Sequence, residues 1–170
     1  GRTTAKKEAK AKVTGGARFA TDVYLRDMLW ARVLRSPLAH ARIVSIDVER
    51  ARRLPGVEAV LTADDVPDAR YGALVLDMGI FARGKVRYIG EAVAAVAAVD
   101  EETAAKAVSL IDVEYEPLPP VFDPLEAMRP DAPLLHEDLP AYKTLFERTP
   151  RAMTGNVNYH AEIYSGNVDD

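Results

Sequence analysis

Apolar and polar residues alternate most cleanly in Ala41–Val48 (ARIVSIDV), where Arg42, Ser45 and Asp47 separate Ile43–Val44, Ile46 and Val48. A period of two predicts a strand with one buried face. Met28–Leu34 (MLWARVL) and Val57–Thr62 (VEAVLT) are rich in strand formers and read the same way. Between them, Glu49–Leu54 predicts a short helical turn stopped by Pro55-Gly56, and Ala63–Val66 a second turn before Pro67. Lys85–Ile89 (KVRYI) alternates until Gly90 breaks it. Glu91–Val99 (EAVAAVAAV) is alanine-rich, which favours helix. The run is short and bounded by Gly90 and Asp100, so it reads as a buried strand.

Asp100 is placed to cap a following helix, with Glu101 and Glu102 in its first turn. Over Glu101–Ile111, helical spacing puts Ala104, Ala107, Val108 and Ile111 on one face. Asp112–Glu116 (DVEYE) predicts a strand closed by Pro117, Pro119 and Pro120, and Pro124–Met128 a single helical turn. Residues 68–84, with Gly72, Gly79 and Gly84, read as an irregular loop. The sum is an α+β domain with a mixed sheet of about five or six strands and one or two main helices.

Composition narrows the class. The 170 residues (18.6 kDa) are 48% hydrophobic and 28% charged, as in one folded domain rather than a disordered chain. The longest small apolar run, Ala92–Val99, is far short of a membrane span. Residues 1–12 are basic with no apolar run behind them, unlike a secretory leader. Cys is 0, which excludes disulfides, thiolate metal ligation and a cysteine nucleophile within this chain. The expectation is a soluble, cytoplasmic domain with no membrane contact.

The net charge of −4 conceals an asymmetry: residues 1–53 carry 13 Lys+Arg and 5 Asp+Glu (+8), leaving −12 for the remainder. The arginines are scattered through strand-like segments without interleaved aromatics, which argues against nucleic acid and for polar contact with a partner protein.

Motifs for chemistry are sparse. The 3 histidines, His40, His136 and His160, are far apart and form no metal-binding pattern. No GxSxG, SxxK, GxGxxG or phosphate-binding loop occurs. The paired carboxylates have structural explanations: Glu101-Glu102 suits a helix start, and Glu114 and Glu116 share a solvent-facing side of a strand. Glu91 differs, because it follows a glycine and opens an apolar run. It sits at the edge of the core, there to satisfy backbone donors or to serve a function. Arg35–Arg42 sets two arginines and His40 around a turn, where the histidine either ties a loop down or acts in chemistry. No catalytic, cofactor or metal residue emerges.

Five blocks in order carry a resemblance: KVTGGARFATD (Lys12–Asp22), MLWARVLRSPLAHARIVSID (Met28–Asp47), LPGVEAVLTADDVP (Leu54–Pro67), KVRYIGEAVAAVAA (Lys85–Ala98) and VEYEPLPPVFDPLEAM (Val113–Met128). Together they resemble the start of the molybdenum hydroxylase large subunit, the family of xanthine dehydrogenase, aldehyde oxidase, carbon monoxide dehydrogenase and hydroxybenzoyl-CoA reductase. The resemblance implies an α/β-hammerhead at 13–136, preceded by a basic arm (1–12) and followed by an extended linker (137–170) toward a molybdopterin-binding domain. It implies a holoenzyme with molybdopterin, [2Fe-2S] clusters and often FAD, none bound by this chain alone. The partners implied are the molybdopterin-binding domain, an iron–sulfur subunit and, in some members, a flavin subunit.

The family's pterin-contacting motifs and catalytic glutamate belong to a following region, so none is carried onto this chain. Glu91 falls instead in the family's GEPV word, here Gly90-Glu91-Ala92-Val93 with alanine in place of proline. Arg35, Ser36, His40, Arg42, Lys85, Arg87, Gly90 and Glu91 are expected as interface or structural-turn residues. The leading expectation is a non-catalytic scaffold domain of an oxidoreductase; the alternative is a stand-alone hammerhead-fold binding module. The substrate is not legible.

Overall fold

The computed structural model describes Thr4 and residues 6–144, 155–158 and 165–166. Among the described residues, eight strands run in the order β1 (Trp30–Arg35), β2 (Ala41–Asp47), β3 (Val57–Thr62), β4 (Arg70–Tyr71), β5 (Met78–Gly79), β6 (Lys85–Val86), β7 (Ala92–Ala98) and β8 (Asp112–Pro117). The helices are α1 (Ala9–Val13), α2 (Glu49–Arg52), α3 (Glu101–Val108) and α4 (Pro124–Ala127).

The α+β class is as expected, but the strands do not join one mixed sheet. They form two 3-stranded sheets, β1-β7-β3 and β6-β2-β8, and a 2-stranded ribbon β4-β5. Each of these strand pairs is antiparallel.

The alanine-rich run is a strand because it lies in the middle. β7 takes β1 on one edge (Trp30↔Ala98 to Arg35↔Ala92) and β3 on the other (Val57↔Ala98 to Thr62↔Ala94). Its two faces serve different cores. Ala94 and Val96 point toward α2 and α3, packing with Val48, Ala51, Val60, Ala107 and Ile111. Val93 faces the second sheet, packing with Ala41, Ala82 and Val86. Small residues let a helix lie close on one face while a second sheet closes the other, so burial outweighs helix propensity.

The Asp100 carboxylate accepts the Thr103 N–H at 2.7 Å, capping α3 as expected. The helix ends at Val108, short of Ile111, because the chain tightens there. Leu110 donates to the Ala107 carbonyl (3.0 Å) and Ile111 to that of Val108 (3.3 Å), which turns the backbone into β8. The predicted strand Lys85–Ile89 keeps only Lys85–Val86 in the sheet. The Arg87 N–H is taken by the Glu91 carboxylate, so a side chain replaces the ladder from that point.

The loop 68–84 contains the β4-β5 ribbon, whose tight return depends on Gly72. A Cβ there would collide with the Val75 carbonyl oxygen. The chain then folds back after α4. Leu76 donates to the Lys143 carbonyl at 2.8 Å, Val75 bridges Thr144, and Leu139 is buried. Asn156 pins the returning segment, accepting from Leu135 N–H (2.9 Å) and donating to the carbonyls of Pro133 (2.9 Å) and Ala127 (3.1 Å).

The charge asymmetry is met within the chain. Arg32 pairs with Glu101, Arg42 with Glu116 at 2.7 Å, Arg50 with Asp112 at 3.6 Å and Arg52 with Asp65 at 3.6 Å. Each exposed pair adds little stability alone, but together they neutralise much of the basic first third. Among the described residues, no helix is long and apolar enough to cross a membrane.

Candidate functional site

The end of β1 meets the turn between β6 and β7. Ser36 donates its N–H to the Glu91 carbonyl at 2.9 Å, and Gly90 donates back to the Ser36 carbonyl at 2.8 Å. The Arg35 guanidinium adds a bond to the Gly90 carbonyl at 2.8 Å. Gly90 sits at φ 92°, a left-handed conformation that costs a side-chain-bearing residue dearly and leaves glycine unstrained.

The turn brings the Glu91 carboxylate back onto the Arg87 N–H at 2.5 Å, with the Arg87 guanidinium 3.9 Å from its other oxygen. Burial raises the Glu91 carboxyl above its ordinary range. The Arg87 N–H and guanidinium, the Tyr88 N–H and Lys85 counteract this only in part.

Two cations from the same turn reach the returning segment. Lys85 is only 9% exposed, and its ammonium donates to the Leu134 carbonyl (2.9 Å) and the Glu137 carboxylate (2.6 Å). Burial by itself would raise the Glu137 carboxyl, but the Lys85 hydrogen bond, with the charges of Lys85 and Arg87, holds it below its usual range. Arg87 Nε donates to the Leu135 carbonyl at 2.8 Å, and its Nη1 to the Lys85 carbonyl at 3.3 Å.

Six of the residues singled out in the sequence thus belong to one junction: Arg35, Ser36, Lys85, Arg87, Gly90 and Glu91. His40 and Arg42 have other duties. His40 Nδ1 is 2.8 Å from the Pro119 carbonyl, which can only accept, so that nitrogen carries the proton. Leu118 N–H donates to the His40 carbonyl at 2.9 Å, and the residue is 5% exposed. His40 ties the loop before β2 to the end of β8. Arg42 lies on an exposed strand position and pairs with Glu116. Glu91 accepts the Arg87 backbone N–H.

A cavity of about 390 Å³ opens beside the junction, lined by Arg35, Arg87 and Glu91 together with Tyr88, Asp77 and His136. Tyr88 lies within the Lys85–Glu91 turn singled out in the sequence, whereas Asp77 and His136 were invisible as partners there. His136 lies far along the chain, with no spacing signal toward Glu91. Burial, then the charges of Arg87, Lys85 and Arg70, hold the His136 imidazole below its ordinary range, against the opposing pull of Asp77. Burial also raises the Tyr88 phenol, with Glu91 and Tyr71 adding to the effect. Around the opening, Tyr71, Met78, Ile80 and Tyr88 are exposed. A rim of aromatic, aliphatic and arginine side chains has the composition of an interface core.

The donors do not fit an iron–sulfur cluster, since Cys is 0 in the chain. Among the described residues, no three His, Asp or Glu side chains converge as metal ligands. His160 lies outside the described residues.

Residues 14–119 match the model of the aldehyde oxidase and xanthine dehydrogenase a/b hammerhead domain. The chain is 38% identical over 164 residues to a probable xanthine dehydrogenase subunit of Bacillus subtilis, covering 96% of this chain and 20% of that protein. It is 45% identical over 129 residues to the carbon monoxide dehydrogenase large chain of Afipia carboxidovorans, covering 74% of this chain and 16% of that one. The crystal structure of Cu,Mo-CO dehydrogenase superposes with a TM-score of 0.73 at 43% identity, over 79% of this chain and 18% of its own. The family-model match over residues 14–119 and these likenesses agree, and the chain belongs to the aldehyde oxidase and xanthine dehydrogenase a/b hammerhead family.

Proposed function

We propose that this chain is the scaffold domain of a molybdenum-dependent hydroxylase or dehydrogenase large subunit, inactive alone, that packs against the molybdopterin-binding region and an iron–sulfur partner. The observation that carries this reading is how the polar cluster is used. Glu91, Arg87, Lys85 and Arg35 each bind backbone groups of this chain, so their chemistry holds turns in place. The exposed rim of Tyr71, Met78, Ile80 and Tyr88 supports a packing role. The chain spans 20% and 16% of the two relatives above, which leaves most of such a protein for cofactor binding.

In the assembled enzyme the molybdenum–pterin group would supply oxidative hydroxylation at carbon, with electrons leaving through [2Fe-2S] clusters and, in flavin-bearing members, FAD. In this reading the junction residues Arg35, Lys85, Arg87 and Glu91 hold the chain's own backbone and leave that chemistry to the following region. The test is to express residues 1–170 alone and measure bound molybdenum and dye-linked dehydrogenase activity. The expected result is neither. Stoichiometric molybdenum with turnover by this chain would refute the scaffold reading.

A further inference from the structure

His136 lies in the middle of a returning strap, residues 133–144. Its Nδ1 is 3.2 Å from the Tyr142 hydroxyl, and its ring meets the Tyr142 ring edge-on at 5.6 Å between centroids. The Arg70 guanidinium sits 4.6 Å from the Tyr142 centroid, which joins the strap to the β4-β5 ribbon. The charged and titratable groups facing His136 come from every neighbouring element: Arg87 and Lys85 from the β6 turn, Arg70 and Asp77 from the ribbon. Arg35, Tyr71, Tyr88 and Glu91 line the same cavity, and Glu137 is next in the chain.

The arrangement is unusual for a histidine. Three cations oppose a proton on it, and Asp77 favours one. The cations cannot easily withdraw. Lys85 holds the Leu134 carbonyl and Arg87 the Leu135 carbonyl, the two residues immediately before His136. The strap is therefore fastened by the same charges that an imidazolium would repel.

We propose that residues 133–144 form a proton-operated strap, in which protonation of His136 releases the segment from the β4-β5 ribbon and the Lys85–Glu91 turn and uncovers the side of the cavity that His136 lines. The inference stands independently of the scaffold reading. Burial and the three cations lower the imidazole's proton affinity when the strap is closed. The open form therefore takes the proton first. Closure is complete above the ordinary imidazole value of 6.5 and weakens as the pH falls below it. The neighbouring acids do not mimic this. Glu137, held below its ordinary 4.5, loses its contribution only below that pH. Glu91, raised above 4.5, has the opposite sign and favours the folded form as the pH falls.

The experiment is hydrogen–deuterium exchange on the intact protein at pH 7.5 and 5.0, corrected for the intrinsic pH dependence of exchange. The reporters are the Leu76 amide, bonded to Lys143, and the Leu135 amide, bonded to Asn156. Their protection should fall several-fold at pH 5.0, with a ceiling of about thirtyfold for a single proton taken up below pH 6.5. The amides of β7 and α3 should not change. His136→Gln should remove the pH dependence, and Asp77→Asn should deepen it. Constant protection of the strap, or the same pH dependence in His136→Gln, overturns the proposal. So does an NMR titration of the His136 ring in the unsubstituted protein with a midpoint at or above 6.5, a measurement that needs no variant to fold.

Discussion

Replacing Lys85 with methionine should weaken the attachment of the strap far more than its partner Glu137 suggests. Lys85 is 9% exposed and holds two acceptors, the Leu134 carbonyl at 2.9 Å and the Glu137 carboxylate at 2.6 Å. Methionine keeps most of the stem's volume and its packing, so the variant isolates the ammonium. The two losses differ in size. Glu137 has a side chain 59% exposed, so its carboxylate regains water when the ammonium goes, and that pair is worth no more than about 1 kcal/mol. The Leu134 carbonyl loses its ammonium donor in a part-buried setting, and leaving such an acceptor unmade costs about 1–3 kcal/mol. The sum is a destabilisation of about 1–4 kcal/mol, or roughly 2–4 °C in Tm for each kcal/mol in a chain of this size.

Urea denaturation of the wild type, Lys85→Met, Glu137→Gln and the double variant measures each term. Glu137→Gln should cost under about 1 kcal/mol, and the double variant should match Lys85→Met closely. A Lys85→Met variant within about 0.5 kcal/mol of wild type, below what a lost buried bond should cost, would show that the ammonium does not fasten the strap at Leu134. A double variant restored to wild-type stability would do the same, because the cost would then lie in the ion pair rather than at Leu134.

Other outcomes follow from particular positions. Gly56 has φ 90°, and a Cβ there would lie 2.9 Å from Val99 Cγ2; Gly84 has φ 73° with open space around it. Gly56→Ala should cost about 2–4 kcal/mol and Gly84→Ala about 1–2, the conformational penalty alone, as read from paired thermal melts. Asp100→Ala removes the α3 cap and should lower the thermal midpoint, with faster exchange at the Thr103 amide. Glu91 has a carboxyl raised by burial, so the stability it contributes is complete below 4.5 and declines as the pH rises through the raised value. Glu91→Gln keeps an acceptor for the Arg87 N–H and should flatten stability between pH 4.5 and 7. Denaturation midpoints at pH 5 and 7 check this, and an unchanged slope would contradict it.

Local order was largely legible. Alternation in Ala41–Asp47 and Val57–Thr62, the cap at Asp100 and the breaks at Gly90 and Pro55-Gly56 are decided by near neighbours, and the structure keeps them. The ordered blocks of residues pointed to the hammerhead family, and the family match agrees. The junction was half legible: Gly90-Glu91 stood out because a carboxylate opening an apolar run needs backbone donors, and it finds the Arg87 N–H.

Tertiary structure decided the rest, because those features rest on groups distant in the chain. Alternation shows which face of a strand is buried but not which strand lies beside it. The eight strands could therefore be counted approximately but not sorted into two sheets and a ribbon. Lys85 with Glu137, Arg32 with Glu101 and His136 among Arg87, Arg70 and Asp77 are each joined only when the chain closes on itself. Burial then sets their charges, since desolvation depends on what covers a group and not on its place in the sequence.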